Sequence, residues 1–205
     1  MLLCLRRFDK ICGMKNSVFL AIASIALSGC IGSVPDAPKY WTVEFVPAAV
    51  DTAQRNASRP TVKLSSISVS APYSGSSIAV MRKDGSVAFD AYNAFAAPPV
   101  ALLSNAAYEA VEASGVFSSV IRSQSIASSP LALELSVVRL ALDCRGDAAR
   151  KATVVVRATV VESRAVKSSA VGHGEADAAD GDYSKAFSEA FSRAVCEAAK
   201  RLSLE

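Results

Sequence analysis

The chain has 205 residues, of which 51% are hydrophobic, 20% charged and 7% aromatic, with a formal net charge of +3 from 22 Lys and Arg against 19 Asp and Glu. The length suits one domain with a sizeable core. Four of the basic residues (Arg6, Arg7, Lys10, Lys15) and one acidic residue (Asp9) lie in residues 1–29, leaving 18 of each sign in the remainder. A neutral body argues against a nucleic-acid footprint.

The first element is the run Ser17 to Cys30, "SVFLAIASIALSGC". From Val18 to Leu27 it is too short to cross a hydrocarbon core, which needs about 20 apolar residues in helix. A basic flank, an apolar centre and small residues at the end are instead the parts of a secretory signal peptide. Leu27, Ser28, Gly29 and Cys30 resemble the bacterial lipobox. That resemblance implies diacylglyceryl attachment to the Cys30 sulfur, cleavage before Cys30, and acylation of the new amino terminus. Met14 would by itself open a normal short signal peptide, so the true start is read as either Met1 or Met14. In both cases residues 1–29 form the leader, residues 30–39 a lipidated tether and residues 40–205 one domain of a mature chain of 176 residues.

Beyond the tether, "YWTVEFV" (Tyr40 to Val46) alternates as a half-buried strand does, with Trp41, Val43 and Phe45 on one side and Pro47 ending it. Thr61 to Ser70 reads as a second strand. Asp84-Gly85 sits between two strand-like runs as a tight hairpin turn requires. Pro98-Pro99 opens a helix in which Leu103, Ala106, Ala107, Ala110 and Val111 recur at helical spacing, and Gly115 ends it. "VFSSVI" returns towards the sheet. "PLALELSVVRLALD" is a long strand whose apolar phase slips between Val137 and Val138, as a β-bulge or two covered faces would cause. "KATVVVRATVVES" and "AVKSSAVGHGEADA" follow as two more strands. From Asp182 an amphipathic helix carries Phe187, Ala190, Phe191, Ala194, Val195, Ala198 and Leu202 in one stripe. The expected fold is α+β, a single domain in which two main helices cover a mostly antiparallel sheet.

No catalytic constellation accompanies these elements. His173 is the only histidine, and no G-x-S-x-G elbow or phosphate cradle is present. Glu175, Asp177, Asp180 and Asp182 lack calcium-loop spacing and read as a solvated loop favourable at a helix N-terminus. With neither a metal nor another cofactor site legible, the expected role is binding rather than catalysis. If Cys30 is lipidated, Cys144 and Cys196 remain as an even pair in an oxidising compartment, which allows a disulfide. Periodicity places Cys196 opposite its helix's apolar stripe, so two unpaired thiols are the alternative, and the sequence leaves both open.

In order of parts, the chain resembles the ABC-type transport auxiliary lipoproteins, the family of the Pqi-type outer-membrane lipoproteins. The resemblance runs from "YWTVEFVP", with Tyr40 and Pro47, through a hairpin to "YNAFAAPPVALLSNAAYEAVEASGVFSSV". There Tyr92, Phe95, Pro98, Leu102, Leu103, Gly115, Phe117 and Val120 take the family's places, with Phe95 standing where tryptophan is expected. The resemblance implies a partner role beside an ABC transporter with a substrate-binding MCE subunit that moves lipids across the envelope. It also implies an outer-membrane location on the periplasmic face, since Ile31 is not the aspartate that retains such proteins at the inner membrane. A homo-oligomer around the partner belongs to the same expectation. The competing reading is a structural or assembly lipoprotein of another envelope machine, such as a secretion or outer-membrane insertion complex, because one fold hosts many functions.

Overall fold

The computed structural model describes residues 37–51, 58–146 and 150–203. The lipobox residues Leu27, Ser28, Gly29 and Cys30, and most of the tether, lie outside the described residues. Eight strands form one sheet: β1 (Lys39–Trp41), β2 (Thr61–Val69), β3 (Ser77–Met81), β4 (Val87–Phe95), β5 (Ser119–Ile121), β6 (Leu131–Asp143), β7 (Lys151–Glu162) and β8 (Ala165–Asp177). Two helices, α1 (Pro99–Ala113) and α2 (Tyr183–Lys200), complete the α+β domain.

β6 is the organising strand. β7 pairs with it antiparallel along its whole length, and β8 pairs antiparallel with β7. On its other side, β2 runs parallel to Leu131–Val137 and β3 runs parallel to Ala141–Asp143. β5 joins β2, and β1 joins β4, also in parallel. The sheet is therefore mixed: its long β6–β7–β8 pairings are antiparallel as expected, while β1, β2, β3 and β5 also make shorter parallel pairings. The physical reason is connectivity: a hairpin and α1 intervene between β2 and its neighbours β5 and β6, and such a crossover returns the chain in the same direction.

Local chemistry explains the elements. Gly85 holds the β3–β4 turn at φ +82, with Arg82 N–H and Ser86 C=O closing it at 2.9 Å. The Pro98 carbonyl accepts from the Ala101 and Leu102 amides at the start of α1, and Gly115 leaves that helix with φ +65. The register of β6 against β7 shifts between Val137 and Arg139. The phase slip in the sequence is thus a bulge at Val138, which is exposed. Asp182 accepts from the Lys185 amide at 3.0 Å and caps α2.

Both helices lie on one face of the sheet. Leu103, Ala106, Ala107, Ala110 and Val111 of α1 and the Phe187–Val195 stripe of α2 are buried against Leu133, Leu135, Val137, Leu140, Val154 and Val156. Phe95 and Phe187 meet edge to face with centroids 5.2 Å apart. α2 sits unusually close to β8. A Cβ built on Gly174 would lie 1.8 Å from the Ala190 carbonyl oxygen, and one on Gly172 would lie 2.0 Å from that of Ala194. Glycine on the strand and alanine on the helix are what permit this approach.

The segment after β1 departs from expectation. Only Lys39–Trp41 is strand; residues 42–46 stay extended but are zipped to α2 rather than to the sheet. Ser184 Oγ donates to the Thr42 carbonyl at 2.8 Å, while the Glu44 and Val46 amides donate to Ser188 and Ser192 at 2.9 and 3.0 Å. Serines at i, i+4 and i+8 thus replace a neighbouring strand. The alternation read in the sequence survives, because Val43 is buried and Trp41 and Phe45 pack on the core.

Candidate binding surface

With one face of the sheet closed by helices, the other is left open. Its side chains form transverse rows fixed by register. Ser66, Glu134, Thr159 and Ser169 stand side by side on β2, β6, β7 and β8, and Ser68, Ser136, Arg157 and Val171 form the next row. Thr159 and Ser169 hydroxyls are 3.1 Å apart. Glu134, Arg157, Ser66 and Ser68 are exposed. This half of the open face is flat, polar and of mixed charge.

The other half is apolar. Ala79, Met81 and Ala141 form a small buried cluster beneath Tyr73, on the face opposite the helices. Phe89 pairs with Ala79 and Val87 with Met81, so both side chains share that face. Tyr40 pairs with Ala94, two residues beyond Tyr92. Trp41 and Phe95 turn to the helices, where Trp41 stacks near Tyr183 at 5.4 Å, and Trp41 Nε1 donates to Asn93 at 2.9 Å. Tyr40, Tyr92 and Ala94 consequently face outward. The register shift between Ser77 and Ala79 reconciles Phe89 with Tyr92 on one face despite their odd spacing.

The family-motif residues therefore divide. Phe95, Phe117 and the turn at Gly115 serve the core, Pro98 starts α1, and Pro47 opens the 3-10 turn Pro47–Ala49. Tyr40 and Tyr92 are exposed.

Cys144 and Cys196 are free thiols. The allowed disulfide is not formed, because the residues line separate grooves: Cys144 one with Arg82, Asp90 and Arg150, Cys196 one with His173, Glu197 and Lys200. Cys196 does lie away from the main stripe of α2, yet it is buried, since α1 packs there and its sulfur donates to the Ala110 carbonyl at 3.1 Å. Burial pushes its pKa up to about 11. At the sheet end, the Arg145 guanidinium grips Asp143 at 2.6 Å and holds that carboxyl below its ordinary range.

The acidic stretch before α2 spends its carboxylates locally. Asp177 and Asp180 accept from the amides two residues on, Asp182 caps the helix, and Glu175 meets Lys151 at 3.4 Å. His173 is exposed on β8. Its amide donates to Glu197, while Arg201 and Arg193 donate to the carbonyls of Val171 and Glu175. Two α2 side chains and that of Arg201, at the helix's C-terminal cap, so engage three backbone groups on the outer side of β8. The sequence shows these residues only as the polar side of a helix. Among the described residues no helix is long and apolar enough to cross a membrane.

No family model matches the chain. No curated protein matches it either. Its fold is shared with solved structures. One is an uncharacterised protein with TM-score 0.59 and 12% identity over 80% of this chain and 95% of that one. Another is a Xanthomonas campestris protein of the family DUF330, with TM-score 0.53 and 19% identity over 80% and 89% of the two chains. A PelC dodecamer from Paraburkholderia phytofirmans aligns at TM-score 0.40 with 16% identity, covering 76% and 96%. The first two likenesses concern architecture alone.

Proposed function

We propose that the chain is a lipid-anchored, non-enzymatic accessory component of an MCE-linked ABC lipid transporter, held at the periplasmic face of the outer membrane through Cys30. It acts by binding the MCE-type substrate-binding subunit across the polar half of its open sheet face. The observation that carries the docking part is the asymmetry of the sheet: two helices fill one side, while Ser66, Glu134 and Thr159, with Arg157 in the neighbouring row, lie on the other. Such a surface supplies hydrogen bonds and both charges in a fixed plane, which gives register and specificity rather than chemistry. The transporter part draws on the lipobox and on the ordered aromatic and proline pattern from Tyr40 to Val120.

The test is photo-crosslinking in living cells from a benzophenone amino acid placed at Thr159, with the same group at Glu109 on the exposed side of α1 as control. Recovery of an MCE subunit with its permease and ATPase from position 159, and not from 109, is the expected result. Recovery of a secretion or outer-membrane assembly complex overturns the transport reading and favours the assembly one.

A further inference from the structure

The polar rows leave the aromatic half of the open face unused. Tyr40 is 66% exposed, Tyr92 and Phe89 are each 54% exposed, and Val87 is 39% exposed. Scattered apolar residues at a surface need no explanation, but these four follow one another along a single face of β4 and its neighbour β1. From Val87 to Ala94 the strip runs beside Met81 to Ser77 of β3, four steps of the paired strand or about 13 Å.

Its position relative to the chain's own anchor decides what covers it. β1 begins at Lys39, nine residue steps from Cys30. At ~3.3 Å per residue they reach at most about 30 Å. The strand that receives the tether is therefore the one carrying Tyr40, and the Tyr40 end of the strip lies within a tether's length of the acyl chains. Tyrosine, with an apolar ring and a polar tip, is the side chain that favours the headgroup level of a bilayer.

We infer that the Tyr40, Phe89, Tyr92 and Val87 strip is a membrane-contact surface that lies against the lipid headgroups when Cys30 is anchored. It orients the domain, so that the edge formed by β1 and β4 faces the bilayer. This inference rests on the lipid attachment at Cys30 proposed above, and it does not depend on which partner binds the polar rows.

The test uses the full acylated chain in vesicles of phosphatidylethanolamine and phosphatidylglycerol with brominated acyl chains. Trp41 is the only tryptophan, so Trp41→Phe gives a silent background. In it, Tyr92→Trp reports the strip and Ser169→Trp the polar rows. Emission from position 92 should fall by about half relative to unbrominated vesicles, with position 169 unchanged. Equal emission changes at the two positions overturn the inference. Mass spectrometry of the N-terminal peptide reads acylation separately; an unacylated Cys30 overturns the anchor and the strip's role together, whereas an acylated chain without quenching overturns the strip alone.

A second measurement needs no new tryptophan. Hydrogen exchange over residues 87–92 should slow severalfold in the acylated chain on vesicles relative to the Cys30→Ser chain in solution. Unchanged exchange there, or slowing that persists without lipid and rises with protein concentration as a second copy would cause, refutes membrane contact.

Discussion

Gly174→Ala tests the packing on which the whole domain depends. The added methyl would stand 1.8 Å from the Ala190 carbonyl oxygen, 2.8 Å from its carbon and 2.9 Å from the Ala194 nitrogen, all of them backbone atoms. No side chain can swing aside, so relief requires α2 to lift off β8 by more than 1 Å, a distance set by ordinary contacts of about 3.5 Å. That movement loosens Phe187 and Phe191, both fully buried. Overpacking of this kind costs about 1–3 kcal/mol, and the gain from replacing a strand glycine returns only about 0.5–1 kcal/mol. A net loss of about 1–2 kcal/mol lowers the midpoint of unfolding by about 2–8 °C in a domain of this size. Circular dichroism melts of the full-length Cys30→Ser chain provide the assay, with Gly75→Ala, which meets nothing within 4 Å, as a control expected within about 0.5 kcal/mol of the parent. Gly172→Ala should behave like Gly174→Ala. The double variant should lose less than the sum, because one displacement of α2 relieves both clashes. A Gly174→Ala melt coincident with the parent would refute the close approach.

Other outcomes follow from the same architecture. Phe187→Ala removes the ring that meets Phe95 and should cost about 3–5 kcal/mol in a urea titration. Asp182→Ala deletes the α2 cap and should cost about 1 kcal/mol by the same assay. Native alkylation at pH 8 should modify the half-buried Cys144 and spare Cys196, whose thiol titrates only at about 11; mass mapping of both peptides checks this. Because that raised pKa means the folded chain holds its proton longer than the unfolded one, Cys196 should withdraw stability as pH climbs through the ordinary thiol range towards 11, and Cys196→Ala should flatten that decline in pH-dependent melts. Cys30→Ser should release a folded chain into the soluble fraction, read by fractionation and by an unchanged melt.

The elements written in local pattern were legible: both helices with their buried positions, the Asp84-Gly85 hairpin and the bulge at Val138. The pairing of β2 with β6 was not, because residues 62–69 and 131–137 meet only after a hairpin and a helix intervene, and alternation along a strand says nothing of its partner's direction. Val43 and Phe45 signalled a buried side without revealing that Ser188 and Ser192, not a strand, take the backbone amides. Gly172 and Gly174 flank His173 in a segment that read simply as strand; their meaning lies in the alanines of α2 some twenty residues later. Of the candidate surface, Tyr40 and Tyr92 were singled out by sequence as motif residues, but their exposure depends on the parallel β1–β4 pairing that no local spacing shows.

The side chains of Arg193, Glu197 and Arg201 do more than pin α2 to the sheet. A thirteen-residue strand with a free border is a template onto which another chain can add, the first step of runaway β-aggregation. By engaging the Glu175 and Val171 carbonyls and the His173 amide, α2 leaves that template unreadable. Of the other borders, β1 and β5 are only three residues long, and beyond them the outer sides of β4 and β2 carry no further strand among the described residues. Along β8, such a domain can meet copies of itself through side chains, keeping that strand's backbone out of the association.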